Sequence, residues 1–318
     1  MKRFSNILLV VDTEAENAVA LSRAVALARN NQASLTIVSV VEEMSSNPTR
    51  AILWVELCVK ILGEERARLD NVIASVAEPD INITSKTLVG KPFIEFIRQV
   101  LRHDHDLVIK CADEPQDVAR TLFGSTDMHL LRKCPCPIWI IKSTGQAPFS
   151  RILAALDHDP ENPATTALNR QILEMSTSLA LSESCELDIV HAWRLAWESF
   201  MRSPRSTLSK AEVDEMVAEE GRNRRHWLDS LVTTYGAKAD KDAMNYLNPR
   251  LHLLNGRATQ VVPTTARELG ADLVIMGTVG RSGVAGLLMG NTAENILAQL
   301  DCSVLAIKPP GFETPVSS

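Results

Sequence analysis

Phe4-Ser-Asn-Ile-Leu-Leu-Val-Val-Asp12 returns later in the chain as Phe149-Ser-Arg-Ile-Leu-Ala-Ala-Leu-Asp157. Each copy is a strand-length apolar run, rich in branched side chains, that ends on an aspartate. Four more segments recur in the same order. Leu35–Val38 matches Leu187–Val190, and Val89-Gly-Lys91 matches Asn255-Gly-Arg257. Asp106-Leu-Val-Ile109 matches Asp272-Leu-Val-Ile275, and Ile138–Lys142 matches Val304–Lys308. The last three pairs share one offset, 166 residues. Five matches in fixed order identify an internal duplication. The turn-rich stretch Ser143-Thr-Gly-Gln-Ala-Pro148 reads as the linker. The expected domains are therefore 1–145 and 146–318.

Within each copy, strand-like and helix-like segments alternate. Ile7–Val11, Ser34–Val41, Ile83–Val89, Leu107–Ile109 and Ile138–Ile141 read as strands. Helical spacing fills the intervals, around Ala15–Arg29, Ala51–Val76, Phe93–Arg102 and Thr126–Arg132. This alternation predicts an α/β fold with two tandem doubly wound units, each a five-stranded parallel sheet flanked by helices. Nearly continuous apolar strands fit a sheet covered on both faces. In the second copy Pro163 opens the first helix and Ser209-Lys-Ala-Glu212 forms a capping box. Val213, Met216, Val217, Trp227, Leu228, Leu231 and Tyr235 follow it near one helical face. Extra chain between the second and third strands of this copy, including Lys238–Pro249, is expected to form a cap beside the sheet.

Composition narrows the function classes. Of 318 residues, 45% are hydrophobic and 23% charged, which is ordinary globular usage. A net charge of -6 argues against a dedicated nucleic-acid binder. No long apolar run suggests a membrane span, and the N-terminus does not read as a signal peptide, so a cytoplasmic location is expected. Six scattered cysteines make no disulfide framework. Cys134-Pro-Cys136 reads as a pair of free thiols, and no metal site is expected.

Glycine is concentrated. Gly277, Gly280, Gly283, Gly286 and Gly290 lie between the strand Asp272–Met276 and the helix Thr292–Leu300. In a doubly wound sheet ligands bind beyond the carboxyl ends of the strands. A glycine-rich turn there lets backbone N–H groups approach an anion, and the following helix N-terminus favours negative charge. Arg281 adds positive charge, and Asn291 and Thr292 sit where they could cap the helix or donate to phosphate oxygens. Neither a P-loop lysine motif nor a dinucleotide fingerprint is present.

Gly277-x2-Gly280-x9-Gly290-Asn291 resembles the G-x2-G-x9-G-[ST] signature of ATP-binding universal stress proteins. The aspartate ending the first strand and the X-Gly-Lys/Arg turn after the third resemble that family too, over essentially the whole chain and in tandem. The resemblance implies ATP or another nucleotide as ligand, with magnesium accompanying ATP. It implies Asp157 near adenine and ribose, Ala192 bordering the base, and Met276 and Gly277 against ribose and phosphates. Gly280, Gly290, Asn291 and Thr292 resemble the phosphate contacts. Asn291 departs from the usual Ser or Thr, which changes reach and geometry. The family's use of its last strand in dimer contacts implies that the two halves pack as an internal pseudo-dimer, with a homodimer of the whole chain left open.

The first copy departs further. Gly277 becomes Cys111, Gly280 becomes Glu114, and only Gly124-Ser125 survives. It is expected not to bind a nucleoside polyphosphate, and Asp12 is read as a turn or cap residue. His103-Asp-His105 reads as a helix end, whereas His191, and more weakly His158, border the expected site. No catalytic base is identifiable. The primary expectation is a non-enzymatic, regulatory nucleotide-binding protein of the stress-response type. The alternatives are a carrier of a nucleotide-diphosphate-linked ligand, covered by Trp193, Trp197, Phe200 and Met201, and a slow ATPase.

Overall fold

A computed structural model of the chain describes residues 4–11, 18–42, 51–76, 80–113, 123–142, 149–239, 241–278 and 289–317. Asp12, Glu114, Gly280 and Arg281 lie outside them. The chain separates into two compact units, residues 1–147 with 283–289 and 302–318, and residues 148–282 with 290–301.

The first unit runs β1 (Asn6–Val10), α1 (Ala18–Asn31), β2 (Ser34–Val41), α2 (Ala51–Ser75), β3 (Ile83–Val89), α3 (Pro92–His103), β4 (Leu107–Cys111), α4 (Ser125–Lys133) and β5 (Ile138–Ile141). Its strands pair in parallel in the order β3-β2-β1-β4-β5. The second unit runs β6 (Arg151–Leu156), α5 (Pro163–Glu183), β7 (Glu186–Trp193), α6 (Glu198–Met201), α7 (Lys210–Ala239), α8 (Lys241–Leu247), β8 (Arg250–Asn255), α9 (Ala258–Leu269), β9 (Leu273–Gly277) and α10 (Asn291–Leu297). Its parallel order is β8-β7-β6-β9.

The recurring sequence has a structural cause. Asp106 accepts the backbone N–H groups of Ser5 and Asn6 at 2.6 and 3.1 Å. Asp272 does the same for Ser150 and Arg151 at 2.7 and 3.0 Å. Each carboxylate thus ties the start of the first strand to the start of the fourth, satisfying donors the ladder leaves open. The helices that follow the third strands, α3 and α9, also end alike, with Asp104 and Gly270 in the left-handed region at φ 53° and 63°.

One strand departs from the simple repeat. β10 (Ser303–Ile307), the last strand of the second copy, belongs to the first compact unit and pairs antiparallel with β5. The reason is edge protection: β5 is fully apolar and buried, and an uncovered edge of that kind invites uncontrolled pairing. Lys308 follows β10 and donates to the carbonyls of Leu131 and Arg132 at the end of α4, at 2.6 and 3.2 Å. Burial lowers its ammonium to about 8.

Between β7 and β8 the second copy forms α6, α7 and α8, where the described residues of the first unit form α2 between β2 and β3. The Ser209–Glu212 capping box is present, with reciprocal bonds of 2.7 and 3.2 Å. Val213, Leu228 and Tyr235 face inward, whereas Met216 is exposed. All six cysteines are free thiols.

Candidate functional site

In the second unit the carboxyl ends of β6, β7 and β9 meet. Register places Ala155 beside Met276 and Leu156 beside His191. Asp157, just past β6, is exposed. Its backbone is held by Asn169 of α5, which accepts from the Asp157 N–H at 3.2 Å and donates to its carbonyl at 2.6 Å. Its carboxylate accepts the His158 N–H at 2.8 Å. Ala192 lies one residue beyond His191 on β7, and Met276 is buried in β9.

Gly277 ends β9. A Cβ there would overlap the tip of the Leu168 side chain of α5, which would have to shift to admit it, so close helix packing favours glycine at this position. The Gly290 N–H donates to the Thr278 carbonyl at 2.9 Å, which ties the two flanks of the glycine-rich segment together at the end of β9. Asn291 and Thr292 are exposed in the first turn of α10, and no side chain caps it. Of the expected site residues, Asp157, Ala192, Met276 and Gly277 therefore share one sheet edge. The Gly290–Thr278 bond brings Gly290, Asn291 and Thr292 to it.

Sequence reasoning did not anticipate the ring cluster here. The His191 Nδ1 faces the Leu156 carbonyl at 3.0 Å, so it carries the proton and leaves Nε2 as an acceptor. That Nε2 is buried and has no hydrogen-bond partner among the described residues. Trp227 of α7 meets His158 and His191 edge-on, with ring centroids 4.6 and 4.8 Å apart. Arg224, one turn earlier, contacts the His158 Nδ1 and pairs with Glu220 at 2.6 Å. Burial lowers both histidines, and Arg224 lowers His158 further. Both imidazoles are therefore neutral near pH 7. The signal in the sequence was Trp227 on an inward stripe; its ring partners depend on how α7 crosses the sheet end. Trp193 packs on Gly221 of α7, whereas Trp197 and Phe200 of α6 are 79% and 55% exposed.

The same sheet edge in the first unit is chemically different. Lys110 takes the place of Met276, Cys111 that of Gly277, and Asp127 that of Ala293. Lys110 is 3% exposed and Asp127 is fully buried, with their charged atoms 3.0 Å apart. Lys110 also contacts the Asp113 carboxylate and donates to the Cys111 carbonyl at 2.9 Å. Asp127 accepts the N–H groups of Asp113 and Gly124 at 2.9 and 3.2 Å. A Cβ at Gly124 would overlap the Asp113 carboxylate. Burial alone would lower the Lys110 ammonium, but Asp127 and Asp113 outweigh it and hold it above its ordinary value. Burial raises Asp127 despite Lys110. Beside this cluster lies a cavity of about 590 Å³, bordered by Val10, Val41, Phe96, Lys110 and Thr126, with Glu42, Glu64 and Glu65 on its wall. The sequence carried a signal for this cluster, a lysine inside the otherwise apolar run Leu107–Cys111, but not the identity of its partners.

The rings of His103 and His105 lie 6.2 Å apart, centroid to centroid. Asp104 caps α3, while His105 is buried and lowered to about 4, chiefly by burial. No group of three or more His, Cys, Asp or Glu among the described residues is arranged to hold a metal. No helix among them is long and apolar enough to cross a membrane.

Comparison with known proteins gives this arrangement a family. The profile of the universal stress protein family matches twice, at residues 3–142 and 148–308. Universal stress protein E of Escherichia coli K12 is 27% identical over 321 residues, spanning 99% of this chain and 98% of that one. The universal stress protein E homolog of Haemophilus influenzae is also 27% identical, over 96% and 98% of the two chains. Among solved structures, a functionally unknown protein of Pseudomonas aeruginosa PAO1 shares the fold, with TM-score 0.69, 22% identity, and 97% and 94% coverage. A universal stress protein of Archaeoglobus fulgidus shares it with TM-score 0.56 and 15% identity, over 95% and 96%. Two successive profile matches over nearly the full length, on two α/β units, establish that the chain belongs to the universal stress protein family.

Proposed function

We propose that this chain is a non-enzymatic, regulatory protein of the stress response that binds ATP or a related nucleotide in its second unit, and that the first unit does not. The observation that carries the reading is the Gly290–Thr278 backbone bond. It sets both flanks of the glycine-rich segment at the carboxyl end of β9, beside the exposed Asp157 carboxylate and the small Ala192. That is where a doubly wound sheet receives a ligand.

A nucleotide would rest against Asp157, Ala192, Met276 and Gly277, with its phosphates toward Gly280, Arg281, Gly290, Asn291 and Thr292. Magnesium would travel with ATP through the phosphates, since the described residues offer no metal cluster of their own. The reading is one of binding rather than turnover.

Mass spectrometry of small molecules released from the untreated protein is the test. A nucleoside polyphosphate released from the wild type and missing from a Gly290→Asp variant is the expected result. A nucleotide sugar or lipid-linked diphosphate would select the carrier. Release of the same nucleotide from both proteins would overturn the site.

A further inference from the structure

The turn between α4 and β5 holds two thiols against each other. Cys134, the C-cap residue of α4, is buried, with extended backbone at φ -68° and ψ 134°, as suits a residue before proline. Cys136 is half-buried. Their sulfurs lie 3.6 Å apart. Pro135 and Pro137 fix φ on either side of Cys136 and leave few ways for the thiols to swing apart. Both ends of the turn are anchored. The Cys134 N–H donates to the Leu130 carbonyl at 2.9 Å, and the Pro137 carbonyl accepts the Val108 N–H at 3.0 Å. A disulfide needs sulfurs about 2.05 Å apart, so this pair has about 1.5 Å left to close. The second unit lacks the pair: in the repeat Cys302 matches Cys136, but Leu300 stands where Cys134 does.

We propose that Cys134 and Cys136 form a redox-active dithiol that exchanges with small-molecule disulfides and closes reversibly to a bridge across Pro135. Cys136, the more exposed, gives up its proton and attacks one sulfur of the disulfide R–S–S–R, whose bond breaks to release R–S⁻. The Cys134 thiolate then attacks the mixed disulfide at Cys136, forms the Cys134–Cys136 bond and expels the second R–S⁻. The two thiol protons end on the two R–S⁻ groups, so the protein dithiol is oxidised and the incoming disulfide is reduced. The buried Lys308 ammonium interacts with Cys134 and places a positive charge beside the second attack. The Cys134 contact, and then burial, hold the Cys136 thiol well above its ordinary value, so exchange is slow at neutral pH and quickens as pH rises. A bridge across a single residue closes a very short loop, gains little from chain entropy and stays readily reducible. The site thus answers a sustained oxidising shift rather than a brief one.

The test is thiol labelling of the full chain after incubation with oxidised glutathione, with acid quenching, denaturation and alkylation. It does not depend on any ligand of the second unit. Trypsin cuts after Lys133 and Lys142, so both thiols fall on one peptide, residues 134–142. In the wild type that peptide should lose both alkyl labels and carry an internal bridge, and dithiothreitol should restore both labels. The loss should be roughly tenfold faster at pH 8 than at pH 7, following the thiolate fraction. C134A should instead keep glutathione on Cys136, because the second attacking thiol is gone. Two labels retained by the wild type in excess oxidised glutathione overturn the proposal. So does glutathione left on wild-type Cys136 with no bridge, or a bridge from either cysteine to a third one. If C134A does not fold, the wild-type peptide decides by itself.

Discussion

The ends of β4 and β9 occupy equivalent places in two copies of one unit, yet they solve the same physical problem in opposite ways. At β4 the chain buries Lys110, Asp113 and Asp127 together and spends its backbone donors on its own carboxylates. At β9 it buries Met276 and Ala293 and ties a glycine-rich segment by one backbone bond. Duplication kept the scaffold, including the Asp106 and Asp272 ties, and let the strand ends diverge. A buried ion cluster and an apolar pair can each fill such a place, and neither is inherently the more stable.

The sharpest way to break this comparison is to unbalance the cluster. K110M by itself should destabilise the full chain by about 3–5 kcal/mol, because it strands the buried Asp127 charge. K110M/D113A/D127A should recover most of that loss, measured by urea unfolding. A mild cost for K110M alone, or no recovery in the triple variant, would mean the cluster does not act as a unit.

A smaller effect is expected at the matching position on β9. Gly277→Ala drives a Cβ into Leu168 and should cost about 1–3 kcal/mol. Adding Leu168→Ala should relieve the overlap, so that the double variant loses less than the two single losses combined. Strict additivity would show that glycine is required there for another reason. Any change in nucleotide binding by the double variant then separates packing from ligand contact.

A third test uses pH. His105 of the first copy stands where the second has Ala271. Its folded pKa of about 4 lies below the unfolded 6.5, so the unfolded state binds more protons between these values. Stability should therefore fall as pH drops from about 6.5 to about 4, and H105A should flatten that part of the profile. His191 and His158 shift in the same direction and keep some acid sensitivity in the second unit. Parallel profiles for wild type and H105A would remove His105 from the account.

Much of the scaffold was legible in the sequence because apolar strand runs, helical stripes and the repeat all report local pattern. Pro163, the Ser209–Glu212 box and the inward Val213, Leu228 and Tyr235 belong to that class. That β10 and β5 would be the strands in contact was expected from the resemblance; their antiparallel sense was not, since that choice depends on how distant segments meet. The same holds for the site. Asp157, Ala192 and Gly277 were named from the resemblance and lie together at the carboxyl end of the strands, whereas Trp227 against His158 and His191 required the path of α7. Gly277 carried a packing reason that no motif displays. Lys110 was visible as an oddity in an apolar strand, but its partners Asp113 and Asp127 lie in a loop and a helix that only folding brings to it.

The central claim is one nucleotide site per chain, in the second unit. Calorimetric titration of ligand-stripped full-length protein with Mg-ATP tests it most directly. The account predicts one site per chain, lost in Gly290→Asp and unchanged in K110M/D113A/D127A. Two sites, no site, or a single site that survives Gly290→Asp would contradict it.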